Sequence, residues 1–171
     1  MGRAVTLLVA VAMLLLSPFA TQGTAAADDQ ELAFLELVNA YRVGFGLGAL
    51  TLDPALTAAA EYHSQDMGSS GFFSHTLSDG TTTGENLLNH GYAGGTWGEN
   101  IAAGMETAAD AFVAWQNSPG HNANMLRADF GTIGIGRAYV EGSPMGWYWT
   151  TTFGGSPDDG VPPTFDFILG G

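Results

Sequence analysis

The chain reads as an α+β domain in which helices pack on an antiparallel sheet. Three observations predict this. Capped helical patterns fill its first two thirds, and two β segments joined by a turn close it. There is no cysteine among the 171 residues, so a packed core must hold the fold without disulfides. Helices first, a hairpin last and one or two isolated strands point to helices packed on an antiparallel sheet.

Taken in order, the chain opens on a segment that is not part of the fold. Arg3 precedes an apolar run from Val5 to Leu16 broken only by Thr6, and Ala25-Ala26-Ala27 supplies small residues before Asp28. This is the form of a secretory signal peptide over residues 1–27, too short for a spanning helix. The domain is expected over 28–155.

Asp28 or Asp29 caps a first helix through Glu31–Arg42, with Leu32, Leu35 and Val38 at helical spacing; Gly44, Gly46 and Gly48 end it. Asn39 and Arg42 sit one turn apart, as a polar face or a binding pair. Asp53 caps a second helix with Pro54 at its first position. Leu56, Ala60, His63 and Met67 form its apolar face, and Gly68 to Gly71 closes it. Glu85 to His90 forms a short helix, and Gly98 to Ala103 a short strand. Thr107 to Asp110 has the form of a capping box for a helix carrying Ala108, Ala111, Phe112 and Trp115. Ser118-Pro119-Gly120 breaks it before a turn of helix from His121 to Leu126. Gly131–Val140 and Gly146–Phe153 are the hairpin strands, with the turn at Glu141 to Pro144. The glycines of the first strand predict close packing by a neighbour. Residues 156–171, rich in Gly, Pro and Asp, read as a loosely attached tail.

Charge narrows the partners. The chain has 17 acidic residues against 4 basic ones, a formal net charge of −13. All four basic residues are arginines, and the first, Arg3, lies in the leader. Such a surface repels phosphate backbones and anionic lipid, so no nucleic acid partner is expected and no stable membrane span after signal cleavage. The expected location is extracellular or periplasmic.

The residues able to carry chemistry are His75, Glu99 and His121, set among aromatics and glycines. Neutral imidazoles bind zinc and similar metals, and a carboxylate adds charge, so the three form a possible open metal site. Their spacing is long and irregular, and each could equally hydrogen-bond a loop. A Ser118–His121–Glu99 triad is disfavoured: Ser118 precedes a proline at a helix end, and no Gly-x-Ser-x-Gly turn exists. No His-Glu-x-x-His helix is present either. His63 reads as a core histidine with one partner, Glu85 as a helix-start carboxylate, and His90 as structural.

Several segments together resemble the CAP superfamily (cysteine-rich secretory proteins, antigen five and pathogenesis-related proteins), most closely its bacterial secreted SCP-like branch. They are Asn39-Ala40-Tyr41-Arg42, Leu52 to Leu56, Ala60 to Met67, Phe73-Ser74-His75, Gly98 to Ala102, Trp115 to Leu126 and Ile133 to Gly136. The resemblance implies a three-layer α-β-α sandwich with a central antiparallel sheet. It implies a cavity of two histidines and two acids that in several relatives holds a divalent metal. By position these are His75, Glu99 and His121, with Ser118 where a Trp-x-x-Glu pattern would place the second acid. A non-enzymatic module binding a divalent cation, zinc first, through His75, His121 and Glu99 is the favoured expectation. A metal-dependent peptidase or esterase using Glu99 as base is one alternative. A lipid- or partner-binding protein using Phe72, Phe73, Trp147, Tyr148 and Trp149 is another, although alternation turns Trp147 and Trp149 to the core side.

Overall fold

The computed structural model describes residues 28–155, so the leader and the tail lie outside the described residues. Within them the order is α1 (Asp29–Gly44), β1 (Thr51–Leu52), α2 (Pro54–Ser70), α3 (Thr83–Asn89), β2 (Trp97–Ala103), α4 (Ala108–Gln116), α5 (Pro119–Met125), β3 (Phe130–Tyr139) and β4 (Trp147–Gly155). The strands form one sheet in the order β1-β3-β4-β2. Helices cover both of its faces, giving the α-β-α sandwich.

Local chemistry starts the helices. The Asp28 side chain accepts from the backbone of Gln30 and Glu31, and Asp53 from Ala55 and Leu56. Gly71 ends α2 in the left-handed region at φ 68°, which glycine adopts without steric cost. Thr107 caps α4.

One core joins α1, α4 and α5 to the sheet: Phe34, Val38, Ala111, Trp115, Met125, Ile133, Ile135, Trp149 and Phe153. On the other face α2 lies directly on β3 and β4. A Cβ at Gly134 would collide with the backbone of Leu56, and one at Gly136 with that of Ala60 and Glu61. The glycines therefore let helix and strand backbones meet, the close packing that the sequence predicts. Ser64 Oγ donates to Gly136 O at 2.9 Å and Thr152 Oγ1 to Leu56 O at 3.0 Å across the same seam.

Several expectations need correcting. The buried face of α1 carries Glu31, Phe34, Val38 and Arg42, whereas Leu32 is 44% exposed, so the register is set by i, i+4 spacing from Phe34. The sheet is not wholly antiparallel: the two-residue β1 pairs in parallel with β3. Asn39 and Arg42 are structural. Arg42, 1% exposed, donates to the carbonyls of Gly48, Met125, Arg127 and Phe130 at 2.8–3.0 Å. Asn39 exchanges two hydrogen bonds with the backbone of Leu50. Trp149 and Tyr148 are core residues on opposite faces of β4. Trp147 is half-buried under the Arg137 guanidinium, 3.6 Å from its ring centre. The aromatic surface offered for lipid thus shrinks to Phe72 and the exposed Phe73.

Candidate functional site

β2 is an edge strand, and side chains from α2, α3 and the loop between them, together with α5, reach it. Glu99, in the middle of β2, is 3% exposed. One carboxylate oxygen lies 3.0 Å from Nδ1 of His63 on α2; the other lies 2.7 Å from Nδ1 of His75 in the loop. Oγ1 of Thr83, on α3, lies 3.1 Å from the same oxygen and 2.9 Å from the carbonyl of His75, its one proton shared between the two acceptors. One carboxylate therefore ties a helix, a loop and a strand together.

The proton positions follow from the partners. Nε2 of His63 lies 2.9 Å from the carbonyl oxygen of Ser74, which can only accept. His63 therefore donates from Nε2, and the Glu99 carboxylate accepts from Nδ1, so the ring carries both protons. Burial opposes that charge, but the hydrogen bond and charge of Glu99 outweigh it and raise His63 above the ordinary histidine range. Burial likewise pushes Glu99 up, and the hydrogen bonds from His63 and His75 overcome it and hold Glu99 below the usual carboxylate range. With Nδ1 of His75 engaged by Glu99, Nε2 is the nitrogen its ring has left for another partner.

His121 approaches from α5. Its carbonyl accepts from Asn100 Nδ2 at 3.0 Å, and Asn124 Nδ2 bonds Asn100 Oδ1 at 2.8 Å and the Glu99 carbonyl at 3.2 Å. These amides fix α5 against β2. His121 Nδ1 is 2.9 Å from Ser118 Oγ. Ser118 stands at the N-cap of α5 without capping it through its side chain, so its hydroxyl is committed to the imidazole. His121 Nε2 is buried and has no hydrogen-bond partner among the described residues. Burial first, and then the neighbouring His75, lower the pKa of His121 and favour the neutral ring. An apolar groove of about 320 Å³ opens beside it, lined by Phe73, Ile101, Met105, Trp115 and Met145 among others.

The structure pairs His75 with Glu99 and His121 with Ser118, and sets the pairs near enough for His75 to lower the pKa of His121. It adds His63, expected from the sequence to be a core histidine with one partner: it is buried, but both ring nitrogens are engaged, one by Glu99. The signal was its place on the apolar face of α2, where a histidine needs a partner for each nitrogen. Thr83 carried no sequence signal, and Asn100 and Asn124 lay inside quoted motifs without a role of their own. Glu85 and His90 have local roles, Glu85 accepting from Thr82 in a capping box and His90 bonding Asn86 O.

A metal is implied by the resemblance, and the donors fit in part. The orphaned Nε2 of His121 and the open Nε2 of His75 suit a borderline cation. Glu99 has both oxygens engaged and stands behind His75. Among the described residues no group of three or more His, Asp or Glu side chains is arranged to hold a metal.

The CAP family, described as the cysteine-rich secretory protein family, matches residues 35–153. The chain belongs to the CAP family. The CAP domain is 36% identical over 133 residues to the uncharacterized protein YkwD of Bacillus subtilis, covering 78% of this chain and 50% of that protein. It thus spans about half the length of that curated relative. It is 32% identical over 106 residues to the uncharacterized membrane protein YlbC of the same organism, covering 62% of this chain and 31% of that protein. Among solved structures it resembles an extracellular protein containing a SCP domain from Bacillus anthracis, at 29% identity and TM-score 0.67, covering 74% of this chain and 40% of that one. An outer surface protein from Borrelia burgdorferi, at 22% identity, has TM-score 0.69 over 76% of this chain and 95% of that one, and shares the fold. Among the described residues no helix is long and apolar enough to cross a membrane.

Proposed function

We propose that this CAP domain is a secreted binding module whose cavity takes a divalent cation, zinc first, through Nε2 of His75 and Nε2 of His121. The observation that carries the reading is the buried, unpartnered Nε2 of His121 beside an imidazole whose other nitrogen is held by a carboxylate. Metal-binding histidines characteristically have their second nitrogen fixed in this way, which sets tautomer and orientation. Glu99 does this for His75 and Ser118 for His121. The bound cation would supply a Lewis-acidic point for a carboxylate or polar group of an extracellular ligand. The leader supports export, as does the extracellular description of the Bacillus anthracis relative.

A binding role fits better than a metal-dependent hydrolase. Glu99 would be the base, yet its oxygens accept hydrogen bonds from both His63 and His75 and its basicity is lowered. A lipid-binding reading keeps one observation in its favour: the apolar groove beside His121, with Phe73 and Met145 half exposed. Calorimetric titration of zinc decides the main reading. Wild type is expected to bind one equivalent and the His75→Ala/His121→Ala double variant none; equal binding by both removes the site. Chelator-sensitive turnover of peptides or esters, abolished in Glu99→Gln, would instead support the hydrolase.

A further inference from the structure

Among the described residues two helices, α1 and α3, start with a full capping box. In α3 the glutamate, Glu85, is exposed, as the motif requires no burial. In α1 the glutamate, Glu31, is 4% exposed. Its Oε2 accepts from the backbone nitrogen of Asp28 at 2.8 Å, and its Oε1 from the backbone nitrogen of Arg137 on β3 at 2.8 Å. None of the ion pairs among the described residues includes Glu31. The charged groups facing it are the Asp28 carboxylate, Glu61 on α2, and Arg137. The Arg137 guanidinium is spent on Asp28 Oδ2 at 2.8 Å and on the carbonyl of Glu106 at 2.7 Å. A buried carboxylate facing two other carboxylates without its own cation is a costly arrangement.

The Asp28 nitrogen is also the atom that signal cleavage would release. We propose that hydrolysis after Ala27 creates the missing counter-ion, an Asp28 α-ammonium that pairs with Glu31 and locks the mature chain end onto α1 and β3. The inference rests on the signal-peptide reading of residues 1–27. Water, delivered by a signal peptidase, breaks the Ala27–Asp28 amide. The Ala27 carbonyl carbon leaves as a carboxylate, and the Asp28 nitrogen becomes an ammonium with three hydrogens in place of one. One of them keeps the 2.8 Å bond to Glu31, now between opposite charges. In the uncleaved chain that nitrogen is a neutral amide, and burial, with Asp28 and Glu61 nearby, pushes Glu31 up from 4.5 to about 7.

A folded carboxylate pKa raised from 4.5 to about 7 means the folded state binds the extra proton, so stability falls as pH rises through that window. The ammonium lowers the folded pKa and removes that loss.

The test uses protein exported by a bacterial host from the full chain. N-terminal sequencing is expected to begin at Asp28; a different first residue overturns the cleavage reading. Part of the sample is then acetylated. The chain has no lysine, so the α-amine is its one amine. Carboxyl NMR should show Glu31 titrating at least about one pH unit lower in the free-amine form than in the acetylated form. The free-amine form should also melt higher at pH 7, with the difference gone at pH 4 and in Glu31→Gln. Identical Glu31 titration in the two forms, with Asp28 confirmed as the first residue, overturns the ion pair and leaves the cleavage reading standing.

Discussion

Glu99 and Arg42 show how single side chains organise this domain. Glu99 neutralises one imidazole and orients another, so Glu99→Gln keeps the volume but removes the charge that holds His63 and His75. Zinc affinity is expected to fall about 10–100-fold, with the helical circular dichroism retained; unchanged affinity would mean that Glu99 does not position His75. Arg42 donates to four carbonyls, three of them in or beside α5 and β3. Burial lowers its pKa without removing its role. Arg42→Met should cost about 3 kcal/mol or more, read from urea unfolding. A lysine cannot present the same planar fork, so Arg42→Lys should rescue little.

Between elements, the contact of α2 with β3 fixes the site, because His63 reaches Glu99 only when that helix lies flat on the sheet. Gly134→Ala and Gly136→Ala place a methyl against the α2 backbone, which cannot rotate away as a side chain can. Each is expected to destabilise by about 2–3 kcal/mol and to weaken zinc binding through His63 and Glu99. Gly131→Ala meets nothing within 4 Å and serves as the control, within about 0.5 kcal/mol of wild type. Melting temperatures of the three variants check the contrast; a neutral Gly134→Ala would show that the seam can open. The glycine pattern was legible in the sequence as a sign of close packing, but its partner was not, since the residues that meet lie about as far apart as Leu56 and Gly134.

At the scale of the molecule, the described residues form one sheet shared by two helical layers, with β4 buried from Tyr148 to Gly155. That strand gives Trp149 and Phe153 to the core under α1 and α4, and Tyr148 to the cluster with Met67 of α2 on the other face. Trp115 and Trp149 report from one layer and Trp97 packs beside the α2–α3 layer. Tryptophan fluorescence and far-ultraviolet circular dichroism should therefore follow a single unfolding transition with coincident midpoints; separated midpoints would show the layers unfolding independently. The absence of cysteine makes this transition insensitive to reductant.

The sequence by itself determined the parts whose signals are local. Asp53-Pro54 and Thr107 mark helix starts, Gly71 marks a helix end, and the alternating glycines of β3 mark a strand something must approach. The ordered motifs from Asn39 to Gly136 carried the family and named His75, Glu99, Ser118 and His121. Only the tertiary structure decided what those residues do to one another. His63 and Glu99 are far apart along the chain, as are Arg42 and Phe130, and Glu31 and Arg137; no periodicity encodes such pairs. Burial made the difference in each of these pairs: away from water a polar atom without a partner is costly, and the fold chose which atoms meet.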